Sequence, residues 1–119
     1  MYYLGIDIGK NNHEAGLIKS DGSHVGRSFR FSNTEDGYQA LLSFLDSHLP
    51  EEESFSIGME ATGHYWLTLY SFLLKQGFIL HVINPIQSDS LRNFHIRRQK
   101  TDAVDCFLVA ETIRFRQFC

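Results

Sequence analysis

The sequence predicts an α/β domain built on a mixed sheet, and three observations carry that prediction. Short apolar runs bounded by turn residues recur along the chain. The first three follow one another with no helical spacing between them. Beyond residue 33, segments with helical spacing alternate with further apolar runs.

Residues 2–9 read as a buried strand and 13–19 as a second. Ser20-Asp21-Gly22-Ser23 then turns the chain into a third strand over 24–31. There Arg27, Phe29 and Phe31 share one face at period two, with Ser28 and Arg30 on the other. The three strands form an antiparallel meander. Asn33-Thr34-Glu35-Asp36 is an N-cap signal followed by early acids. Tyr38, Leu41, Leu42, Phe44, Leu45 and Leu49 keep helical spacing to about Pro50. Residues 54–60 predict a fourth strand. Thr62-Gly63 leads into a helix with Trp66, Leu69, Tyr70, Phe72 and Leu73, stopped by Gly77. Residues 78–83 predict a fifth strand closed by Asn84-Pro85. A short helix is expected over 86–94, a basic loop over 95–100, and a last helix from near Thr101. The order β-β-β-α-β-α-β-α, a mixed five-stranded sheet flanked by helices, is that of the ribonuclease H-like fold.

With 119 residues, the expectation is one domain, 1–119. Hydrophobic residues make up 43% and aromatics 13%, which excludes a disordered chain. The net charge of -3 gives no global basic field toward nucleic acid. It hides a local one: Arg92, Arg97, Arg98 and Lys100 lie between Asp89 and Asp102 with no acid among them. The run Glu51-Glu52-Glu53 reads as a solvated loop. Two cysteines exclude a disulfide scaffold, and Cys106, among apolar neighbours, reads as a buried, inert thiol. No basic leader precedes Asp7, and no apolar run approaches the ~20 residues that span a bilayer. The expected setting is cytoplasmic, without a membrane partner. The last helical pattern reaches Phe118-Cys119 with no cap, glycine or proline, which reads as a fragment of a longer protein.

Four carboxylates stand out. Asp7 lies in the apolar run Tyr3-Leu4-Gly5-Ile6-Asp7-Ile8-Gly9, and Glu60 ends the run Ser54-Phe55-Ser56-Ile57-Gly58-Met59-Glu60. Asp102 and Asp105, three residues apart, share one face of the last helix. A buried ionised acid is costly unless it is paired or binds a metal. In this element order the fourth strand pairs beside the first, bringing Glu60 next to Asp7, and the last helix adds the aspartate pair. An all-oxygen site selects Mg²⁺ or Mn²⁺ over Zn²⁺. Taken singly, each acid also reads as a turn, cap or helix-dipole residue.

Four blocks then appear in order: Gly5-Ile6-Asp7-Ile8-Gly9-Lys10, Met59-Glu60-Ala61-Thr62-Gly63-His64-Tyr65-Trp66, Ile83-Asn84-Pro85 and Lys100-Thr101-Asp102-Ala103-Val104-Asp105. Together they resemble the N-terminal DEDD domain of the IS-one-ten (IS110) insertion-sequence transposases, a family that includes the Piv-type DNA invertases. The resemblance covers essentially the whole chain and agrees at all four acids. It implies a RuvC-like domain related to Holliday-junction resolvases, with Asp7, Glu60, Asp102 and Asp105 holding Mg²⁺ for DNA strand cleavage and exchange. It also implies DNA at element ends and target, an element-encoded guide RNA, and a nucleophilic serine in a separate C-terminal domain. That domain is absent from this sequence, so the chain alone is not expected to complete recombination. A homo-oligomer is expected.

Arg92, Arg97, Arg98 and Lys100 read either as phosphate contacts or as a solvated loop, and Lys10 either as a phosphate contact or as a plain surface lysine. The six histidines, at 13, 24, 48, 64, 81 and 95, show no metal-ligand spacing. His64 reads as a helix-start residue rather than a proton shuttle. Trp66, Tyr70, Phe72 and Phe78 read as core, or as a dimer interface if one helix face is uncovered. Three other readings remain open. A stand-alone junction resolvase would cleave four-way junctions unaided. One lobe of a sugar-kinase or actin-like ATPase would share the Gly5–Gly9 block but has no use for the Lys100–Asp105 block. A non-catalytic RNA-binding module would keep the acids as scaffold.

Overall fold

Five strands form one sheet: β1 Tyr2–Asp7, β2 Asn12–Lys19, β3 Phe29–Ser32, β4 Phe55–Glu60 and β5 Ile79–Ile83, in the order β3-β2-β1-β4-β5. The computed structural model describes residues 1–61, 63–83 and 102–118, with side chains in the last segment over 106–116. The first three strands pair antiparallel, while β4 runs parallel to β1 and β5 parallel to β4. Parallel neighbours need a crossover. Helix α1, Glu35–His48, lies between β3 and β4 in the chain, and α2, Leu67–Lys75, between β4 and β5. A third helix, α3, covers Asp102–Phe118. The mixed sheet and the element order are those expected from the sequence.

Alternation along the strands gives the sheet two apolar faces. Leu4, Ile6, Ala15, Leu17, Ile57 and Met59 point to one, where Tyr38, Leu41, Phe44 and Leu45 of α1 and Leu69 and Leu73 of α2 cover them. Tyr3, Ile18 and Ile83 point to the other and meet Val109, Ala110 and Ile113 of α3. The sheet is thus sandwiched between helix layers. Trp66, Tyr70, Phe72 and Phe78 rest half-buried against the first core, as core residues would. Thr34 caps α1, its hydroxyl accepting from the Gly37 N–H at 3.2 Å, with Glu35 and Asp36 in the first turn.

Two strands depart from expectation by more than one residue at an end. β1 stops at Asp7 rather than at residue 9, because the Gly9 N–H donates to His13 Nδ1 at 3.1 Å and the chain turns there. β3 begins at Phe29 rather than at 24. His24 makes only an isolated bridge to Ile18, and Gly26, at φ 71°, bends the chain between them, leaving Arg27 outside the strand. The helix expected over 86–94 and the basic loop over 95–100 lie outside the described residues. Among the described residues, no helix is long and apolar enough to cross a membrane.

Candidate functional site

Three adjacent strands repeat a glycine and an acid two residues apart: Gly5-Ile6-Asp7, Glu14-Ala15-Gly16 and Gly58-Met59-Glu60. The register lines them up. Gly5 pairs with both Gly16 and Gly58, and Asp7 pairs with Glu14. The β1–β4 ladder ends at Ile6 and Met59, and the next residue on each strand is Asp7 and Glu60. A row of three glycines therefore crosses the sheet. About 6.6 Å further along, on the same face, runs a row of three acids, Glu14, Asp7 and Glu60.

The glycine row is where α3 touches the sheet. A Cβ on Gly5 would overlap the Cys106 carbonyl and Ala110 N, with Ala110 Cα at 2.9 Å. One on Gly16 would lie 2.8 Å from the Phe107 ring and 3.0 Å from Cys106 Sγ, and one on Gly58 2.6 Å from Ile113 Cγ2. Toward the far end of α3, Arg114 pairs with Glu111 at 2.9 Å and donates to the Ser20 carbonyl at 3.2 Å. Ser20 follows Lys19, the partner of Tyr2 at the start of β1, so α3 runs opposite to β1. Asp102 precedes Cys106 by four residues, about 6 Å of helix. That matches the advance from Gly5 to Asp7, so the backbone of the first turn of α3, with Asp102 and Asp105, lies at the acid row. The side chains of these two aspartates lie outside the described residues.

Asp7 and Glu60 are half-buried at their strand ends. Glu14 is half-buried too, its side chain 15% exposed. It accepts from Ser28 Oγ at 2.7 Å and pairs with Arg30 Nε at 3.6 Å. Burial first, then the carboxylates of Glu14 and Asp7, push the Cys106 thiol up to about 12. Cys106 is therefore the inert thiol expected, and its shift registers the negative field at the start of α3. His13 Nδ1 accepts from Gly9 N–H, fixing the turn after Asp7, and burial holds its pKa below the usual value.

Lys10 is exposed in that same turn. Arg92, Arg97, Arg98 and Lys100 lie outside the described residues. His64 is exposed and stacks on Tyr65 at 4.4 Å. Among the described residues, no three His, Cys, Asp or Glu side chains form a metal-holding group. The sequence reading passed over Glu14 and over Arg30, its Cα partner on β3. The available signal was that Glu14-Ala15-Gly16 inverts the spacing of Gly5-Ile6-Asp7 on a strand running the opposite way.

Comparison with known proteins bears on the family and the fold. The family model of the IS110 DEDD domain, described as a transposase, matches residues 4–118. The pilin gene-inverting protein of Moraxella bovis is 28% identical over 108 residues, covering 91% of this chain and 33% of that protein. The chain thus spans about a third of the length of the curated relatives it matches. Among solved structures, RuvC of T. thermophilus in complex with a Holliday junction substrate superposes with a TM-score of 0.65 at 12% identity, covering 99% of this chain and 96% of that one. A hexokinase of the ROK group from Thermus thermophilus gives 0.51 at 14% identity, over 82% of this chain and 38% of that one. At these identities the structures speak for the ribonuclease H-like fold, while the sequence match across nearly every residue speaks for kinship. The chain belongs to the IS110 family of DEDD transposases.

Proposed function

We propose that residues 1–119 are the catalytic domain of a larger DNA transposase or site-specific recombinase, with Asp7, Glu60, Asp102 and Asp105 holding Mg²⁺ or Mn²⁺. The observation that carries this is the juxtaposition of Asp7 and Glu60, on paired strand ends, with the first turn of α3. Four carboxylates from a sheet and a helix are a donor set suited to a hard cation. Such an ion would stabilise the attacking and leaving oxygens of a phosphodiester during strand cleavage and exchange.

The chain's own residues supply the frame. Paired strands hold Asp7 and Glu60 at a fixed separation, and the glycine row sets the height of Asp102 and Asp105 above them. The amino end of α3 favours anions nearby, carboxylate or phosphate. Lys10, Arg92, Arg97, Arg98 and Lys100 would contact phosphates of the DNA. In the longer protein, DNA element ends and target, an element-encoded guide RNA and a second copy of the chain would be the partners, acting in the cytoplasm. Family membership and the inverting activity in the name of the Moraxella relative support this reading.

A second reading, a stand-alone junction-cleaving nuclease, draws on the match to RuvC over 96% of that chain. Cleavage of a four-way junction by the 119-residue chain alone would favour it. The kinase-lobe reading is weaker, because the hexokinase, at 14% identity, shares the fold alone, whereas the transposase family model matches residues 4–118. Calorimetric titration with Mn²⁺ tests the main proposal. Saturable binding is expected in the wild type and its loss in Asp7→Asn and Glu60→Gln. Binding that persists unchanged in both variants would overturn the ligand assignment.

A further inference from the structure

We propose that Arg30, oriented by Glu14, grips a DNA phosphate beside the Asp7–Glu60 pair. The inference rests on the DNA-processing reading above and adds a residue to it. Register places Arg30 opposite Glu14 and Glu14 opposite Asp7, so the acid row continues into a cation on the edge strand β3. With strands about 4.8 Å apart, the Cα atoms of Arg30 and Asp7 stand roughly 10 Å from each other, and a long side chain closes much of that gap. Asp7, Glu14 and Arg30 line one open pocket of about 190 Å³ at the end of the sheet.

Three features suit Arg30 to a phosphate rather than to an ion pair alone. Its contact with Glu14 is through Nε, at 3.6 Å, whereas the Nη groups carry most of the guanidinium donors. The side chain is 65% exposed while that of Glu14 is 15% exposed, so the carboxylate is the fixed partner and the fork faces solvent. Ser28 Oγ donates to the same carboxylate at 2.7 Å and holds it in place. A planar fork matches the oxygens of a phosphate. Placement agrees with this. α3 rests on Gly16, Gly5 and Gly58, leaving β3 outside its footprint among the described residues. Arg30 is therefore a binding residue and Glu14 a positioning one.

The test is fluorescence anisotropy of a labelled four-way DNA junction with the 119-residue chain, across a series of salt concentrations. Arg30→Gln is expected to weaken binding about threefold to tenfold and to reduce the slope of log K against log[salt] by about 0.9. Arg30→Lys is expected to keep the slope and recover part of the affinity. The loss caused by Arg30→Gln is expected to shrink in a Glu14→Gln background, a coupling that a purely structural ion pair would not produce in DNA binding. Circular dichroism confirms folding, and if Arg30→Gln is unfolded, Arg30→Lys and Glu14→Gln carry the comparison. Wild-type binding with an unchanged affinity or slope in Arg30→Gln would overturn this inference alone. No junction binding by the wild type would overturn this inference together with the stand-alone nuclease reading, whereas the metal-site proposal stands or falls on the Mn²⁺ titration.

Discussion

Replacing Gly5 by alanine probes the device that sets the height of α3 above the sheet. The added Cβ would overlap the backbone of Cys106 and Ala110, which has no rotamer to turn away. The helix must rise by roughly 1 Å, and overpacking of this kind costs about 1–3 kcal/mol. Undocking instead would expose Leu108, Val109 and Ile113, which are 7%, 2% and 2% exposed. That costs about 1.5–3 kcal/mol for each side chain, so rising is the cheaper response. Alanine also stiffens the unfolded chain, returning about 0.4–1 kcal/mol. The net expectation for Gly5→Ala is a loss of about 1.3 kcal/mol, or roughly 5 °C in Tm. At Gly16 the obstacles are the Phe107 ring and Cys106 Sγ, side-chain atoms that can give way, so Gly16→Ala should be near neutral. Urea unfolding followed by far-ultraviolet circular dichroism measures both. On the proposed four-acid site, a rise of α3 by roughly 1 Å against Asp7 should lower any recombination by the longer protein by about 10²-fold. A Gly5→Ala variant as stable as wild type, or a Gly16→Ala variant that is the worse of the two, would refute the account of the glycine row.

Two further predictions concern buried titrating groups. Burial keeps His13 neutral in the folded chain, whereas its ordinary value is 6.5, so below that pH the unfolded chain binds more protons and stability falls as pH falls. The urea midpoint should drop between about pH 7.5 and about pH 5.5, and His13→Gln should flatten that drop; an equal drop in the variant would assign the effect to other groups. Cys106, with its pKa pushed up to about 12 by burial, should resist iodoacetamide in a native Cys119→Ser background and react once urea unfolds the chain. Rapid native alkylation would mean that α3 does not stay seated on the glycine row.

The order of strands and helices was legible because each element announces itself locally. Thr34 followed by two acids marks the start of α1, and Gly77 follows the end of α2. The limits of β3 were less legible, since Gly26 interrupts a run whose residue types favour a strand. The adjacency of Asp7 and Glu60 could be inferred, because a strand following a meander and a crossover helix pairs beside the first. Glu14 and Arg30 escaped notice for the opposite reason. Their meaning depends on which residue sits across each ladder, and on a helix drawn from the other end of the chain. All three glycine–acid pairs were visible in the sequence, but their common purpose emerges only when the strands are laid side by side.

The route by which the sheet is built bears on when the proposed site can form. The carboxylates proposed as ligands come from residues 7, 60, 102 and 105, so synthesis must pass residue 105 before all four exist. β1 can pair with β2 soon after both emerge, but β4 must wait for α1, and α3 must close contacts about a hundred residues apart, such as Gly5 with Cys106. Chains fold largely from the amino end as they are made, so this last seating coincides with the end of the domain's synthesis. A nascent chain that stops before residue 102 carries Asp7 and Glu60 without α3. The order of elements, rather than any single residue, thus makes the proposed four-acid site the last feature of the domain to form.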